Sequence, residues 1–213
     1  MERSVLITGC SSGMGYAAAK GLRSRGYMVF ATARQERDVA RLRSDGFDST
    51  VLDLTDPSSI HNALAYVCSK TDGKLYGLFN NGAYGQPGAV EDLPTAVLRE
   101  QFETNFFGWH ELTRAVVPIM RSQGYGRIIQ NSSVLGLVSM KFRGAYNASK
   151  FAIEGLSDTL RLELADSNIY VSLIEPGPID THFRSNALAA FRRNIDTSDS
   201  AHSAVYELYL INI

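Results

Sequence analysis

Short apolar runs alternate along this chain with longer stretches of helical periodicity. Runs at 5–8, 28–33, 50–52, 75–80, 127–132 and 170–175 are apolar enough to form buried strands. The stretches between them have helical periodicity. They predict one helix at about 14–25, a second that follows the strand at 28–33 and ends at about 45, and a third that begins at 57. Two longer helices are predicted at about 95–122 and 144–166. Apolar strands that alternate with helices indicate a parallel sheet covered on both faces. Right-handed crossovers then predict a doubly wound α/β fold of the Rossmann type, with three αβα layers.

Residues that prefer helix ends mark several of these boundaries. Gly26 fits the end of the first helix, and Asp56 followed by Pro57 fits an N-cap and the first helical position. After about residue 179 the pattern weakens, so we expect a mobile substrate loop at 180–202, followed by barely one or two helical turns. No linker or repeat divides the chain, so residues 1–213 are predicted to form a single domain.

Composition narrows the class of protein. The chain has 213 residues, 45% of them hydrophobic and 20% charged, with a net charge of −1. This balance is typical of a globular domain and offers no electrostatic basis for a nucleic-acid or anionic-membrane partner. No apolar run approaches the ~18 residues of a membrane span, and none suits a signal peptide. Cys10 and Cys68 lie far apart, which favours free thiols and a cytoplasmic location. The four histidines never pair at metal-ligand spacing, so no metal is predicted.

A glycine-rich turn follows the first strand and opens the first helix. Its spacing is G-x-x-x-G-x-G over residues 9–15. In an α/β fold, glycines at this point allow the backbone to approach a dinucleotide pyrophosphate, and the helix N-terminus supplies N–H groups. The alternative is a simple tight turn. The residues predicted to bind the cofactor here are Thr8, Gly9, Ser11, Ser12, Gly13, Met14 and Gly15.

The end of the second strand indicates which dinucleotide is preferred. A site for NAD usually has a carboxylate there, which binds the ribose 2′-hydroxyl. This chain has Thr32-Ala33-Arg34 instead. Arg34 is suited to a 2′-phosphate through charge-assisted hydrogen bonds, so NADP(H) is favoured over NAD(H), with Arg37 as a possible helper. The alternative is that Arg34 only covers a surface loop.

Polar residues at two further strand ends extend the predicted groove. Asp53, with the adjoining Leu54, ends the third strand where an adenine amine would lie. Asn80 and Asn81 end the fourth strand. The carboxyl ends of parallel strands meet at one sheet edge, which is where ligands bind in open α/β folds. Each of these residues could equally be an ordinary turn residue.

A tyrosine and a lysine four residues apart supply the candidate chemistry. Tyr146 and Lys150 lie in a predicted helix, so their side chains leave the same face. A phenol titrates near ~10, and a neighbouring cation lowers that pKa toward the range useful for proton transfer at neutral pH. Ser133 lies thirteen residues before Tyr146, after the fifth strand. By itself the Tyr/Lys pair is more typical of a surface helix than of a catalytic site.

Taken together, these motifs resemble the short-chain dehydrogenase/reductase family, in its NADP-preferring branch, over nearly the whole chain. The matching pieces are residues 8–15, Asp53, Asn80, Asn81, Asn105, Ser133, residues 146–150, Pro176, Gly177 and Thr181. The resemblance implies the strand order 3-2-1-4-5-6 followed by a seventh strand. It also implies NAD(P)-dependent hydride transfer between a carbonyl and an alcohol.

The same resemblance implies a role for each candidate residue. Tyr146 would be the general acid/base, and Lys150 would lower its pKa and hold the nicotinamide ribose. Ser133 would hydrogen-bond the substrate oxygen, and Asn105 would anchor a water chain that relays the proton. The residues implied to orient the nicotinamide are Pro176, Gly177, Ile179 and Thr181.

Two features depart from the family pattern. The usual Asn-Asn-Ala-Gly is here Asn80-Asn81-Gly82-Ala83. The seventh strand and part of the substrate region are expected to be missing, because the chain ends at Ile213. This leaves open an NADP(H)-binding module without turnover. A nucleotide-sugar epimerase or dehydratase shares the Tyr/Lys pair but needs a sizeable C-terminal domain.

The substrate is expected to be a lipophilic aldehyde, ketone, retinoid or sterol-like alcohol, with a sugar or a small polar acid as the less favoured alternative. Apolar residues flank the predicted site, which suits such a ligand. They are Tyr84, Pro87, Leu135, Val138, Met140, Phe142, Phe183 and Phe191. Several of them could equally be core residues. Arg184, Arg192 and Arg193 are expected to face solvent. The resemblance also implies a homodimer or homotetramer formed through the helices at about 95–122 and 144–166.

Overall fold

A computed structural model describes residues 3–210 and contains a six-stranded parallel sheet. The strands are β1 (Ser4–Ile7), β2 (Met28–Ala33), β3 (Asp48–Val51), β4 (Gly77–Asn80), β5 (Gly126–Asn131) and β6 (Ile169–Ile174). Their order across the sheet is β3-β2-β1-β4-β5-β6, and every neighbouring pair is parallel. The predicted Rossmann-type fold and strand order are therefore confirmed.

Eight α-helices connect and follow the strands in the part of the chain that is described. They are α1 (Gly13–Arg23), α2 (Glu36–Ser44), α3 (Pro57–Lys70), α4 (Thr95–Phe102), α5 (Gly108–Gln123), α6 (Gly144–Glu163), α7 (Phe183–Asn194) and α8 (Ser203–Leu210). The single helix predicted at about 95–122 is divided into α4 and α5 by a π-helical turn, Glu103–Phe107. A 3₁₀ turn, Val134–Gly136, follows β5.

The segment at 180–202 differs from the expected irregular loop, because α7 occupies much of it. Ala187, Ala190 and Phe191 are buried at helical spacing. They lie on one face of α7, and Phe191 packs in a small core cluster with Ile195 and Tyr206. Burial of this apolar face explains why the segment is helical despite its weak overall pattern.

The core has two layers, one on each face of the sheet. Along β1, Val5 and Ile7 belong to the cluster beneath α1 and α2, whereas Leu6 belongs to the cluster beneath α3 and α5. Successive side chains of a strand point to opposite faces, so a strand that is apolar throughout needs cover on both sides. No helix within residues 3–210 is long and apolar enough to cross a membrane.

Candidate active site

A cleft of about 380 Å³ opens at the carboxyl edge of the sheet. It is bounded by the turn after β1, the ends of β4 and β5, the first turns of α6, and the segment from residue 176 to 186. Many of the predicted site residues line it. They are Gly9, Ser11, Ser12, Gly13, Met14, Asn81, Ser133, Tyr146, Lys150, Pro176, Gly177, Ile179 and Thr181.

The glycine-rich turn is held against the end of β4. Thr8 Oγ1 accepts the backbone N–H groups of Asn81 at 2.9 Å and Gly82 at 2.8 Å. Asn81 Nδ2 donates in return to the carbonyl oxygen of Thr8 at 2.9 Å. Gly9 has φ +68°, and a Cβ there would lie 2.5 Å from Gly82 Cα. Only glycine allows this conformation and this contact together.

The N-terminus of α1 fits an anionic group such as a pyrophosphate. Its N-cap, Ser12, makes no side-chain capping bond, and the first turn contains no acidic residue. Ser12, Gly13 and Met14 all line the cleft. The first N–H groups of a helix lack partners within the helix and carry its positive dipole end, so they favour an anion at this point.

Lys150 places a cation at the floor of the cleft. Only 1% of its surface is exposed. Its Nζ donates to the carbonyl oxygen of Asn131 at 2.7 Å and lies 4.4 Å from the ring centroid of Trp109. The same Nζ is 5.5 Å from the Tyr146 ring centroid. The predicted Tyr/Lys pair is therefore buried in the cleft rather than spread on a helix surface.

The pKa values in the pair differ from the simple expectation. Burial raises the pKa of the Tyr146 phenol, while a hydrogen bond with Ser133 and the charge of Arg143 lower it. Burial also lowers the pKa of Lys150 to about 7, opposed by the charge of Glu154. Desolvation disfavours the charged form of both groups. In this structure the influences that favour the phenolate come from Ser133 and Arg143, not from the lysine that the sequence indicated.

Ser133 joins the pair at the end of β5. It caps the 3₁₀ turn, and its Oγ accepts the backbone N–H of Leu135 at 3.1 Å. The same side chain lowers the pKa of the Tyr146 phenol. Because the Ser133 oxygen accepts a hydrogen bond from the backbone, the hydroxyl is oriented and its own hydrogen can be donated to a ligand or to the phenol. Ser133, Tyr146 and Lys150 therefore open on one space.

Seven predicted residues do not line the cleft. They are Thr8, Gly15, Arg34, Asp53, Leu54, Asn80 and Asn105. Thr8 and Gly15 support the turn from behind, because a Cβ at Gly15 would lie 2.5 Å from both Gly9 O and Asn81 Nδ2. Asn80 Nδ2 donates to Thr113 Oγ1 and Gln130 Oε1, so the core holds this side chain. A residue at a strand end can face the interior, and sequence position alone does not distinguish the two cases.

Asn105 lies in the π-helical turn and holds the backbone of Tyr84. Its Oδ1 accepts the Tyr84 N–H at 3.1 Å, and its Nδ2 donates to the Tyr84 carbonyl at 2.9 Å. A longer contact of 3.3 Å joins Nδ2 to Ser149 Oγ. π-Helical turns often occur at functional sites. Here the turn presents a buried amide to the segment that follows β4.

Arg34 and Asp53 lie at the ends of neighbouring strands, outside the cleft. The glycine turn is joined to β2 by the Cys10 N–H, which donates to the Thr32 carbonyl at 2.8 Å. Arg34 follows two residues later and is exposed. Asp53 Oδ1 accepts both the N–H and the hydroxyl of Thr55, which is the local turn role left open above. Leu54 is buried.

Three residues of the site were not predicted from the sequence. Asn131 accepts the lysine bond through its carbonyl, and its Nδ2 donates to Asn81 Oδ1 at 2.9 Å. The Trp109 ring lies 4.4 Å from Lys150 Nζ, and its Nε1 donates to Gly82 O at 2.8 Å. Arg143 lines the cleft. Of these three residues, only Asn131 could have been found from the sequence, because it is a polar residue at the end of β5.

The predicted apolar walls divide between the cleft and the core. Leu135, Met140 and Phe183 line the cleft. Phe183 also packs edge-on against Tyr146, with ring centroids 5.5 Å apart. Phe191 instead packs in the core beneath α7. Arg184, expected to face solvent only, is exposed but also lines the cleft.

Cys10 lies in the glycine turn but is buried and chemically quiet. Its Sγ contacts the Ile7 carbonyl at 3.4 Å, and burial raises the pKa of the thiol to about 12. A thiol that stays protonated is a poor nucleophile. Cys10 therefore acts as a small packing residue.

Comparisons with known proteins relate both the sequence and the fold of this chain to one family. A family model described as "short chain dehydrogenase" matches residues 3–190. The "Uncharacterized oxidoreductase YbbO" of Escherichia coli (strain K12) is 49% identical over 186 residues, which cover 87% of this chain and 69% of that protein.

Two solved structures are similar along almost the whole chain. A short chain dehydrogenase/reductase from Burkholderia phymatum in complex with NAD has a TM-score of 0.86 at 25% identity, covering 99% of this chain and 78% of that chain. An actinorhodin polyketide ketoreductase variant with NADPH has a TM-score of 0.81 at 27% identity, covering 98% and 81%. One of these two structures contains NAD and the other contains NADPH.

Proposed function

This chain belongs to the short-chain dehydrogenase/reductase family, and from that premise we propose that it is an NADP(H)-dependent oxidoreductase that interconverts a lipophilic carbonyl compound and an alcohol. One observation carries the proposal. Ser133, Tyr146 and Lys150 open on the same cleft as the glycine turn and the free N-terminus of α1. A proton donor and an anion-binding turn in one cleft are what reduction by a dinucleotide requires.

The side chains then divide the work of carbonyl reduction. NADPH, when bound, supplies the hydride. Ser133 donates a hydrogen bond to the carbonyl oxygen, where negative charge develops. Tyr146 donates its phenolic proton to that oxygen, and in the reverse direction it removes the hydroxyl proton. Lys150 holds the ribose hydroxyls of the cofactor, with its ammonium group positioned by Asn131 and Trp109.

The other predicted cofactor residues keep their proposed roles around this centre. Pro176, Gly177, Ile179 and Thr181 line the cleft and would orient the nicotinamide. Asp53 and Leu54 would border the adenine. The relay role of Asn105 stays a prediction, since its side chain is bonded to the Tyr84 backbone and to Ser149.

The preference for NADP(H) is proposed from Arg34. Its side chain is exposed, and it follows by two residues Thr32, whose carbonyl binds the glycine turn. The end of β2 has no carboxylate. A charge-assisted bond to a 2′-phosphate gives roughly a ten- to hundredfold preference. Arg34→Asp should therefore move the ratio of kcat/KM values for NADPH and NADH toward NADH. An unchanged ratio would remove the assignment.

The direct test of the function is an NADPH-consumption screen over aldehydes and ketones, with Tyr146→Phe as the matched variant. We expect wild-type turnover of apolar carbonyls and a loss of at least about a hundredfold in the variant, the range of general acid catalysis. Undiminished activity in Tyr146→Phe would contradict the mechanism. NADPH binding without turnover by the wild type would support a binding module instead.

We also propose a single catalytic domain, a homodimer or homotetramer, and a cytoplasmic location. The two free cysteines support a reducing compartment. Exposed apolar residues on α6, among them Phe151 and Leu162, support association through this helix. Light scattering of the purified protein measures the assembly, and cell fractionation measures the location.

A further inference from the structure

The charged lining of the cleft has one sign. Among residues 3–210, the charged side chains that line it are Arg143, Lys150 and Arg184, and no carboxylate accompanies them. Lys150 donates to the Asn131 carbonyl. Arg184 is exposed in the first turn of α7, close in sequence to Thr181, which contacts the glycine turn. Arg143 is the cleft-lining arginine at the start of α6, the helix that carries Tyr146.

Arg143 is held in place by its own backbone. It is the N-cap of α6, three residues before Tyr146, and its carbonyl accepts the Asn147 N–H at 2.8 Å. It also forms a β-bridge with Gly88, whose N–H donates to the Phe142 carbonyl at 3.0 Å. Arg143 and Tyr146 both line the cleft, and the charge of Arg143 lowers the pKa of the Tyr146 phenol.

Apolar side chains share the cleft with this cation. Leu135, Met140 and Phe183 are among them. A guanidinium binds a carboxylate well, because its planar donors match the two oxygens and both groups are charged. We infer that the substrate is an oxo acid with an alkyl chain, whose carboxylate binds Arg143 while the chain lies on these apolar walls.

This inference rests on the proposed carbonyl chemistry, but its anion-binding part is measured without turnover. Calorimetry compares octanoate with octanamide, which differ in charge and have the same length, with and without NADP⁺. We expect wild-type protein to bind octanoate about ten- to a hundredfold more tightly, the range of a charge-assisted hydrogen bond. In Arg143→Met this ratio should fall to about one, and in Arg143→Lys it should be partly kept.

The matched control is Arg192→Met, which removes an exposed arginine of α7 that does not line the cleft. It should keep the wild-type ratio, which separates a local contact from the general charge of the protein. Equal binding of octanoate and octanamide by the wild type, or an unchanged ratio in Arg143→Met, would overturn the inference.

Turnover separates this inference from the proposed function. The test compares 3-oxooctanoate with its methyl ester, and the expected result is a kcat/KM at least about tenfold higher for the acid, lost in Arg143→Met. Reduction of the ester with no preference for the acid contradicts the inference and leaves the function standing. No reduction of either compound, with octanoate still favoured in binding, contradicts the function and leaves the anion site standing.

Discussion

Lys150 lies in surroundings unlike those of an ordinary lysine, which is exposed to water. It lies buried between Trp109 and the Asn131 carbonyl, and burial lowers its pKa from 10.5 to about 7. The folded protein therefore gives up a proton near neutral pH that the unfolded chain keeps until about pH 10. A lysine in this state changes its charge near neutral pH.

Lys150 should make the stability of the cofactor-free protein depend on pH. Between pH 7 and 9 the unfolded chain binds more protons than the folded one, so the free energy of unfolding rises with pH. The slope from one group is at most about 1.4 kcal/mol per pH unit. Urea unfolding at several pH values measures it, and Lys150→Met should flatten the rise. Equal slopes in the two proteins would show that Lys150 stays charged.

Ser133 should influence the pH profile through Tyr146. Its hydrogen bond lowers the pKa of the phenol, so Ser133→Ala should raise that pKa. Alcohol oxidation needs the phenolate, and its rate should therefore begin to rise at a higher pH in the variant, along with a fall in kcat. Measuring kcat/KM against pH tests this. A lower kcat with an unmoved profile would limit Ser133 to binding the substrate oxygen.

At the scale of elements, the glycine turn and the end of β4 form one unit. The turn is bonded to Thr8, Asn81 and Gly82 on one side and to β2 through Cys10 on the other. Gly82 stands where the family usually has alanine. A Cβ at this position would lie 3.2–3.3 Å from Leu54 Cδ1, Gly9 N and Thr8 Oγ1, which is a tight fit. The exchange of two small residues therefore relieves this contact.

Gly9 and Gly26 have similar backbone conformations, so replacing each with alanine distinguishes the cost of backbone strain from the cost of a steric clash. Gly9 and Gly26 have φ +68° and +81°, but only a Cβ at Gly9 meets the backbone, at 2.5 Å from Gly82 Cα. Gly26→Ala should cost about 1–2 kcal/mol, the penalty of a left-handed alanine. Gly9→Ala should cost more and should also weaken NADPH binding. Urea unfolding and fluorescence titration measure the two effects, and equal losses in both would contradict the packing argument.

At the scale of the whole molecule, the C-terminal helices are joined to the segment after β4. Tyr206 is 1% exposed; its hydroxyl donates to Asp92 Oδ2 at 2.5 Å and accepts the Ala89 N–H at 2.8 Å. The same segment bridges to Arg143 through Gly88. The position of the cleft wall therefore depends on residues more than a hundred positions apart in the chain.

Removing one hydroxyl should loosen this connection. Tyr206→Phe leaves the buried Ala89 N–H without its acceptor, and an unsatisfied buried donor costs about 1–3 kcal/mol. Tyr170→Phe is the matched control, because this tyrosine is 54% exposed and phenylalanine keeps its stacking with Arg127. Thermal unfolding should show a lower Tm for Tyr206→Phe only. A similar Tm for both variants would mean that α8 contributes little.

Local sequence patterns were enough to predict some features of the fold and the site, whereas other features depend on contacts between distant segments. The parallel α/β fold, the glycine turn and the grouping of Ser133, Tyr146 and Lys150 were predictable, because apolar periodicity indicates parallel strands and their ends meet at one edge. The strand order followed from the family resemblance. The inward side chain of Asn80, the π-helical turn at Asn105 and the helical form of α7 were not predictable. Each depends on partners distant in the chain, such as Gln130, Tyr84 and Tyr206.

The amino-acid sequence by itself determined the fold and the family and indicated candidate proton-transfer residues, since these depend on periodicity and on short motifs. Only the tertiary structure decided which strand-end residues face the cleft and which groups shift the pKa of Tyr146. It also decided that a cleft lined by Arg143, Lys150 and Arg184 has no carboxylate among residues 3–210. The physical reason is that burial, charge and packing arise between residues far apart in the chain, and these set the chemistry of a side chain once its identity is known.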